Sequence, residues 1–320
     1  MSYKPILIVA GEPNSIFLEI FFKSIKKKKI NSPIILICSK KLLIKQMQYL
    51  KYNFSIKEIN INNDFDKLDN KFINVINVEY LFKKPFEKIS NKSNNYITTC
   101  FDLAEKLIKK RKIDKFINGP IEKKSLLKKR YPGITEFLAK KFNSKNYAML
   151  IYNKKISVCP LTTHIPIKFV PQKITKRLII NKIILIKNFF QKVLKKNPKI
   201  AITGLNPHCE STHKFNEDEK IIAPTIGFLK KKKFLVYGPF SADTIFLKQN
   251  RKKFDVVVGM YHDQVLAPLK TLFEYDAINI TMGLPVIRIS PDHGPNAGMI
   301  GKNASNPLSL IRALEFLDKK

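Results

Sequence analysis

Eleven short, apolar, β-branched runs recur along this 320-residue chain and restrict its fold more than any other feature. They are Ile6–Ala10, Ile34–Cys38, Phe72–Val78, Phe116–Ile117, Ala148–Tyr152, Ile156–Cys159, Ile200–Thr203, Phe234–Tyr237, Val256–Val258, Ala277–Ile280 and Val286–Ile289. Each is largely unalternated and bounded by Gly, Pro or Asn, the pattern of strands covered on both faces. Helix-length amphipathic segments lie between several of them. Thr98–Lys110 places Phe101, Ala104, Leu107 and Ile108 near one face, with lysines at the end where the helix dipole favours cations. Thr175–Leu194 reads as a longer apolar-basic helix and Pro307–Leu317 as a closing one. Strands alternating with helices predict an α/β fold. The Lys/Asn-rich stretch Lys51–Lys71 reads as a surface excursion, and no domain boundary shows in composition.

Charge is the loudest bulk property: 59 Lys+Arg against 25 Asp+Glu give +34. A basic balance of this size suggests a nucleic acid or a membrane surface. The lysines are dispersed along the whole chain, however, Trp is absent, and Ile, Asn and Lys crowd many positions, as AT-rich codon drift would produce. Runs such as Lys26–Lys29 and Lys230–Lys233 are expected at solvated helix ends or loops, with no specific nucleic-acid partner. No stretch approaches the roughly 20 apolar residues of a membrane span. The first residues lack the layout of a secretion signal, so a cytoplasmic protein is expected. Cys38, Cys100, Cys159 and Cys209 form no CxxC pair and are expected as reduced thiols, Cys209 as a buried structural one.

Four of the five histidines stand at junctions punctuated by Gly or Pro: Thr163-His164-Ile165-Pro166, Asn206-Pro207-His208, Tyr261-His262-Asp263-Gln264 and Asp292-His293-Gly294. The last three directly follow apolar runs, where α/β folds place their sites. Neutral imidazole is the commonest ligand of zinc-like ions, and three histidines with an open position form a catalytic arrangement. The spacing is not a local motif such as HExxH, so the ligands must meet through the fold or between subunits. Capping or loop histidines are the alternative, and His213 is read as an exposed loop residue.

A cationic and amide group accompanies them. Arg288 sits inside the apolar run Val286–Ile289 and needs an anionic partner, either a ligand carboxylate or phosphate or a structural salt bridge. Lys270 and Asn279 lie nearby in sequence. Gly11-Glu12-Pro13-Asn14-Ser15 looks like a phosphate-cradling turn but matches neither GxGxxG nor a P-loop. A strand-to-helix turn capped by Asn14 or Ser15 explains it equally well.

Taken together, Gly11-Glu12-Pro13, Asn118-Gly119-Pro120-Ile121, Thr135-Glu136-Phe137-Leu138-Ala139, Leu161-Thr162-Thr163-His164-Ile165-Pro166, Gly204-Leu205-Asn206-Pro207-His208, Gly238-Pro239-Phe240-Ser241-Ala242-Asp243-Thr244, Tyr261-His262-Asp263-Gln264, Asn279-Ile280-Thr281-Met282-Gly283 and Asp292-His293-Gly294 resemble, in order, the 4-hydroxythreonine-4-phosphate dehydrogenase family. The resemblance implies a two-lobed α/β/α fold like that of isocitrate and isopropylmalate dehydrogenases, with an active cleft between the lobes. The chain would then be one catalytic unit over residues 1–320 with the lobes interwoven. It also implies a homodimer with a shared site and a divalent metal (Zn, Mg or Co) on His164, His208 and His262, one of them from the partner subunit. Thr135, Lys270, Asn279 and Arg288 match substrate-binding positions, and Asp292, His293 and Gly294 open a loop that resembles an adenosine-binding one. The implied reaction is NAD- or NADP-dependent oxidation of a small phosphorylated hydroxy-acid at C3, then decarboxylation to 3-amino-2-oxopropyl phosphate, in vitamin B6 synthesis.

Asp243 or Asp263 could take the proton or orient a ligand histidine, and the residue types do not choose between them. Lys270 is a further catalytic candidate. The family's Gly-His-Thr-Glu motif reads Gly133-Ile134-Thr135-Glu136 here, which removes a donor to the substrate. The stretch Cys209-Glu210-Ser211-Thr212 and the loop Pro295-Asn296-Ala297-Gly298 depart as well. A sister dehydrogenase of phosphorylated threonate or erythronate, a non-redox three-His lyase or hydrolase, and a basic nucleic-acid-binding protein remain as alternatives.

Overall fold

The computed structural model describes residues 3–111, 113–127, 130–211, 215–291 and 293–319. Asp292, His213 and Thr212 lie outside the described residues, so their expected roles stay expectations. The chain packs as two compact units: residues 1–143 with 284–320, and residues 144–283.

Among the described residues the first unit holds six strands in the order β3-β4-β2-β1-β5-β12. They are β1 (Ile6–Val9), β2 (Ile34–Cys38), β3 (Ile56–Ile59), β4 (Ile73–Asn77), β5 (Lys115–Asn118) and β12 (Ile287–Pro291). All their pairings are parallel. The runs Ile-Leu-Ile-Val in β1 and Ile-Ile-Leu-Ile-Cys in β2 are wholly buried, as strands covered on both faces must be. Over one face lies the helix Asn94–Arg111, whose Ile97, Phe101, Ala104 and Ile108 recur at helical spacing and join β1 and β5 in the core.

The second unit runs β11-β6-β7-β10-β8-β9. These are β6 (Ala148–Tyr152), β7 (Ser157–Pro160), β8 (Ile200–Thr203), β9 (Val236–Phe240), β10 (Val256–Gly259) and β11 (Ile278–Met282). β11 and β6, and β6 and β7, are antiparallel; β7, β10, β8 and β9 are mutually parallel. The helix Lys176–Val193 starts where Thr175 Oγ1 accepts the Leu178 amide at 3.2 Å, and it buries Ile179, Ile183, Ile186 and Phe190 along one stripe.

Each of the eleven runs overlaps a strand, although Phe234 and Leu235 precede β9, and the three helices lie within a few residues of their expected bounds. Lys51–Lys71 is not only a surface excursion, because it contains β3 and a turn at Phe65–Lys67. Ile59 is buried there and Ile56 half-buried, while Lys57 and Glu58 are exposed, a charged outer strand that discourages further pairing. The lysine runs do close helices: Lys26 and Lys27 end Phe17–Lys27, and Lys230 and Lys231 end Ala223–Lys231. In the Gly11–Ser15 turn the formal cap is Ile16, yet Ser15 Oγ accepts the Phe17 amide at 3.2 Å. Cys38, Cys100 and Cys159 are buried, and burial raises Cys100 to about 12 and Cys159 to about 11, which keeps them inert. Cys209 is half-buried, not buried as expected, because it sits in the exposed turn behind His208. Among the described residues no helix is long and apolar enough to cross a membrane.

Candidate active site

Polar chemistry gathers at the C-terminal ends of the parallel strands in each unit. In the first unit the exits of β1, β5 and β12 are neighbours. The Glu12 amide donates to Pro120 O at 2.8 Å and the Gly119 amide to Val9 O at 2.8 Å, which locks the Gly11-Glu12 and Asn118-Gly119-Pro120 turns together. Arg288 stands on β12 opposite Phe116 of β5 and is wholly buried. Its Nε donates to Asn118 Oδ1 at 2.7 Å and its Nη1 to Thr135 Oγ1 at 3.3 Å. Burial lowers the guanidinium to about 9, with Glu136 opposing the shift, so Arg288 is cationic at neutral pH. Thr135 opens the helix Ile134–Lys141, whose first amides and Gly133 cap carry partial positive charge. Buried guanidinium, hydroxyl, amide and helix start together suit a small anion.

Glu12, next to this locus, is 1% exposed. Its carboxylate accepts from Ser93 Oγ at 2.8 Å and the Asn14 amide at 3.1 Å, while Asn14 reaches Tyr80 Oη. Burial raises its pKa above 4.5, helped by Glu122, and the two hydrogen bonds only partly offset this. The later loop is anchored to the same unit. Ile16 N donates to Pro295 O, Lys23 Nζ to Asn303 O and Ser305 O, and Ser305 N to Glu19 Oε1 at 2.6 Å. Within it His293 Nδ1 lies 3.0 Å from Gly294 O, and Gly294 and Gly298 have no heavy atom within 4 Å of a built Cβ, which leaves room for a ligand against the backbone.

In the second unit the adjacent strands β7, β10, β8 and β9 lead, in that order, to His164, His262, His208 and Asp243. The His164 and His262 ring centroids are 5.9 Å apart. Two imidazoles that share one ion at about 2.1 Å per nitrogen need a separation of this order, so the pair fits a zinc-like ion. His262 Nδ1 lies 2.8 Å from Asp263 Oδ1, the carboxylate partner that ligating histidines usually have. His208 adopts φ 55°, a left-handed backbone unusual for histidine. Nearby, Asp243 is held below the usual carboxylate range chiefly by the 2.6 Å bond from Ser241 Oγ. Among the described residues of one chain, no three His, Cys, Asp or Glu side chains converge on an ion position. The structure therefore brings two of the three expected ligands together and leaves His208 with Asp243.

Lys270 lies two turns along the helix His262–Phe273 that His262 opens, and burial lowers its pKa. Asn279 stands on β11, half-buried, with Oδ1 facing no hydrogen-bond donor. Sequence reasoning missed Asn118 as the partner of Arg288, although it stood in a quoted motif. It also missed Asp218, which lies in the polar run Asn216-Glu217-Asp218-Glu219 and reads as solvated, yet is buried and accepts the Leu205 and Asn206 amides.

The family model for pyridoxal phosphate biosynthetic protein PdxA matches residues 29–317. The chain belongs to the PdxA family. A 4-hydroxythreonine-4-phosphate dehydrogenase of Sulfurihydrogenibium sp. is 39% identical over 97% of this chain and 96% of its own. A D-threonate 4-phosphate dehydrogenase of Salmonella typhimurium is 32% identical over 92% of both. The crystal structure of the 4-hydroxythreonine-4-phosphate dehydrogenase of Klebsiella pneumoniae superimposes with a TM-score of 0.84 at 28% identity, covering 98% of this chain and 97% of that one. The α/β class and the resemblance expected from the motifs both hold, and the chain is a dehydrogenase of this family, which removes the non-redox lyase alternative.

Proposed function

We propose that this PdxA-family chain oxidises 4-phosphohydroxy-L-threonine at C3 with NAD or NADP, after which the β-keto acid loses CO2 to give 3-amino-2-oxopropyl phosphate for pyridoxal 5′-phosphate synthesis. The 39% identity to a dehydrogenase of that substrate over nearly the whole chain carries the reading. Arg288 and Thr135, with the helix start, would hold an anionic end of the substrate, and the family resemblance implies substrate contacts for Lys270 and Asn279 as well. His164 and His262 would hold a divalent metal (zinc, magnesium or cobalt), with His208 donated by a second copy of the chain in a homodimer. The exposed Ile165, Ile167 and Phe169 beside His164 support such an interface. When bound, the ion would supply Lewis-acid polarisation and the dinucleotide, which the loop from His293 and Gly294 would hold, would supply a hydride acceptor. Asp263 fixes the ring of His262, which leaves Asp243 or Lys270 to take the hydroxyl proton. Burial lowers the Lys270 pKa, in the direction that favours the free amine a general base needs, and we assign it this role.

A second reading, oxidation of phosphorylated threonate, is favoured by one residue: Ile134 in place of the family histidine. Steady-state turnover with each substrate and NAD+, with and without chelator, separates the two. Nicotinamide absorbance should rise with phosphohydroxythreonine and be lost on chelation. Faster use of phosphorylated threonate would move the assignment to the second reading, and no absorbance change with either would sink the dehydrogenase proposal for this site.

A further inference from the structure

One amide ties the histidine-bearing turns together. Gln264 is the third residue of the helix His262–Phe273, and its side chain folds back over the helix start as a capping residue does. Its Oε1 accepts from Met260 N at 2.7 Å and from Thr203 Oγ1 at 2.9 Å, and its Nε2 donates to Gly204 O at 2.8 Å. Gly204 begins the turn to His208, and Met260 begins the turn to His262. Thr162, in the turn to His164, donates both its amide (3.2 Å) and its hydroxyl (2.8 Å) to Met260 O. All three turns therefore hang from one side chain and the peptide beside it. Two glycines make the room. A Cβ on Gly259 would lie 2.4 Å from Val265 Cγ1 and 3.1 Å from Gln264 Oε1, and one on Gly204 would lie 2.6 Å from Asp218 Oδ1.

We propose that Gln264 is a positioning residue for the metal site: through Met260 it fixes the His262 turn beside the His164 turn, and through Gly204 it fixes the turn that presents His208 to a second copy, and hence it sets the affinity for a divalent ion. The inference rests on the metal reading above. Only an amide meets the geometry, because one end must accept two hydrogens while the other donates to a carbonyl. A carboxylate would set an acceptor against Gly204 O, and a thioether would leave Met260 N and Gly204 O without this partner.

Cobalt(II) titration of the full-length protein, followed by visible absorption, tests this. Gln264→Glu and Gln264→Met should each raise the Co2+ Kd by about 10–100-fold, the usual cost of losing support behind a metal ligand. Thr203→Val, which removes one of the two donors to Oε1, should raise it by less. Gln46→Met is the control: this buried amide in the first unit donates to Pro13 O and Pro85 O, and its loss should lower Tm while leaving the Co2+ Kd unchanged. Wild-type Co2+ affinity in the Gln264 variants, or an equal loss in Gln46→Met, would overturn the proposal. If the wild-type cobalt spectrum matches that of His262→Ala, the metal reading itself fails, and the positioning role fails with it.

Discussion

Ile134, which stands where the family resemblance implies a histidine, is half-buried against the same apolar cluster as Tyr131 and Phe137. Its neighbour Thr135 faces Arg288, so the departure sits one residue from the anion locus. If phosphohydroxythreonine is the substrate, Ile134→His should restore a donor and lower KM by an amount on the order of 1–3 kcal/mol in binding. If the site has adapted to another acid, the imidazole would enter an apolar setting, leaving KM unchanged or worse with a lower Tm. Paired kinetics and melting curves on both substrates decide between these. Arg288 was legible because a guanidinium inside an apolar run has few explanations. Its partners were not, since Asn118 and Thr135 are 170 and 153 positions away, Asn118 reaching it through the pairing of β5 with β12 and Thr135 from the helix Ile134–Lys141.

At the scale of elements, the turn after β1 is a buried polar knot: Glu12, Asn14, Ser93 and Tyr80 in one chain of hydrogen bonds. A carboxyl whose folded pKa lies above its unfolded value favours the fold most when protonated. Its stabilising effect is complete below about pH 4.5 and is lost as pH rises through the folded value. Glu12→Gln should therefore melt higher than wild type near neutral pH, with the gap closing toward pH 4.5. Ser93 can turn its hydrogen to Ser90 O, 2.9 Å away, and accept from the new amide. A Tm difference independent of pH would show that Glu12 is not the titrating group. The strand exits carrying His164, His208 and His262 could be picked from sequence because a polar histidine breaks each apolar run. The order that makes β7, β10 and β8 neighbours could not, because parallel pairing depends on segments up to a hundred residues apart. β3 escaped notice because Ile-Lys-Glu-Ile shows only two apolar residues among lysines and asparagines.

For the molecule as a whole, the chain leaves the first unit after Asn143 and re-enters at Leu284. β12, which pairs with β5 and carries Arg288, is thus the last strand to be made. On the ribosome the intervening unit is complete before its host, so an uninterrupted stretch can fold while the first 143 residues wait with the β5 edge bare. An isolated fragment of residues 144–283 should show cooperative melting by circular dichroism. Residues 1–143 alone should aggregate until a peptide of residues 284–320 is supplied; cooperative folding of 1–143 without it would refute this order. Arg288 then arrives only when residues 1–287 have been made. A truncated or stalled chain would carry His164, His208 and His262 without Arg288, and so, on the function proposed above, without its anchor for the substrate.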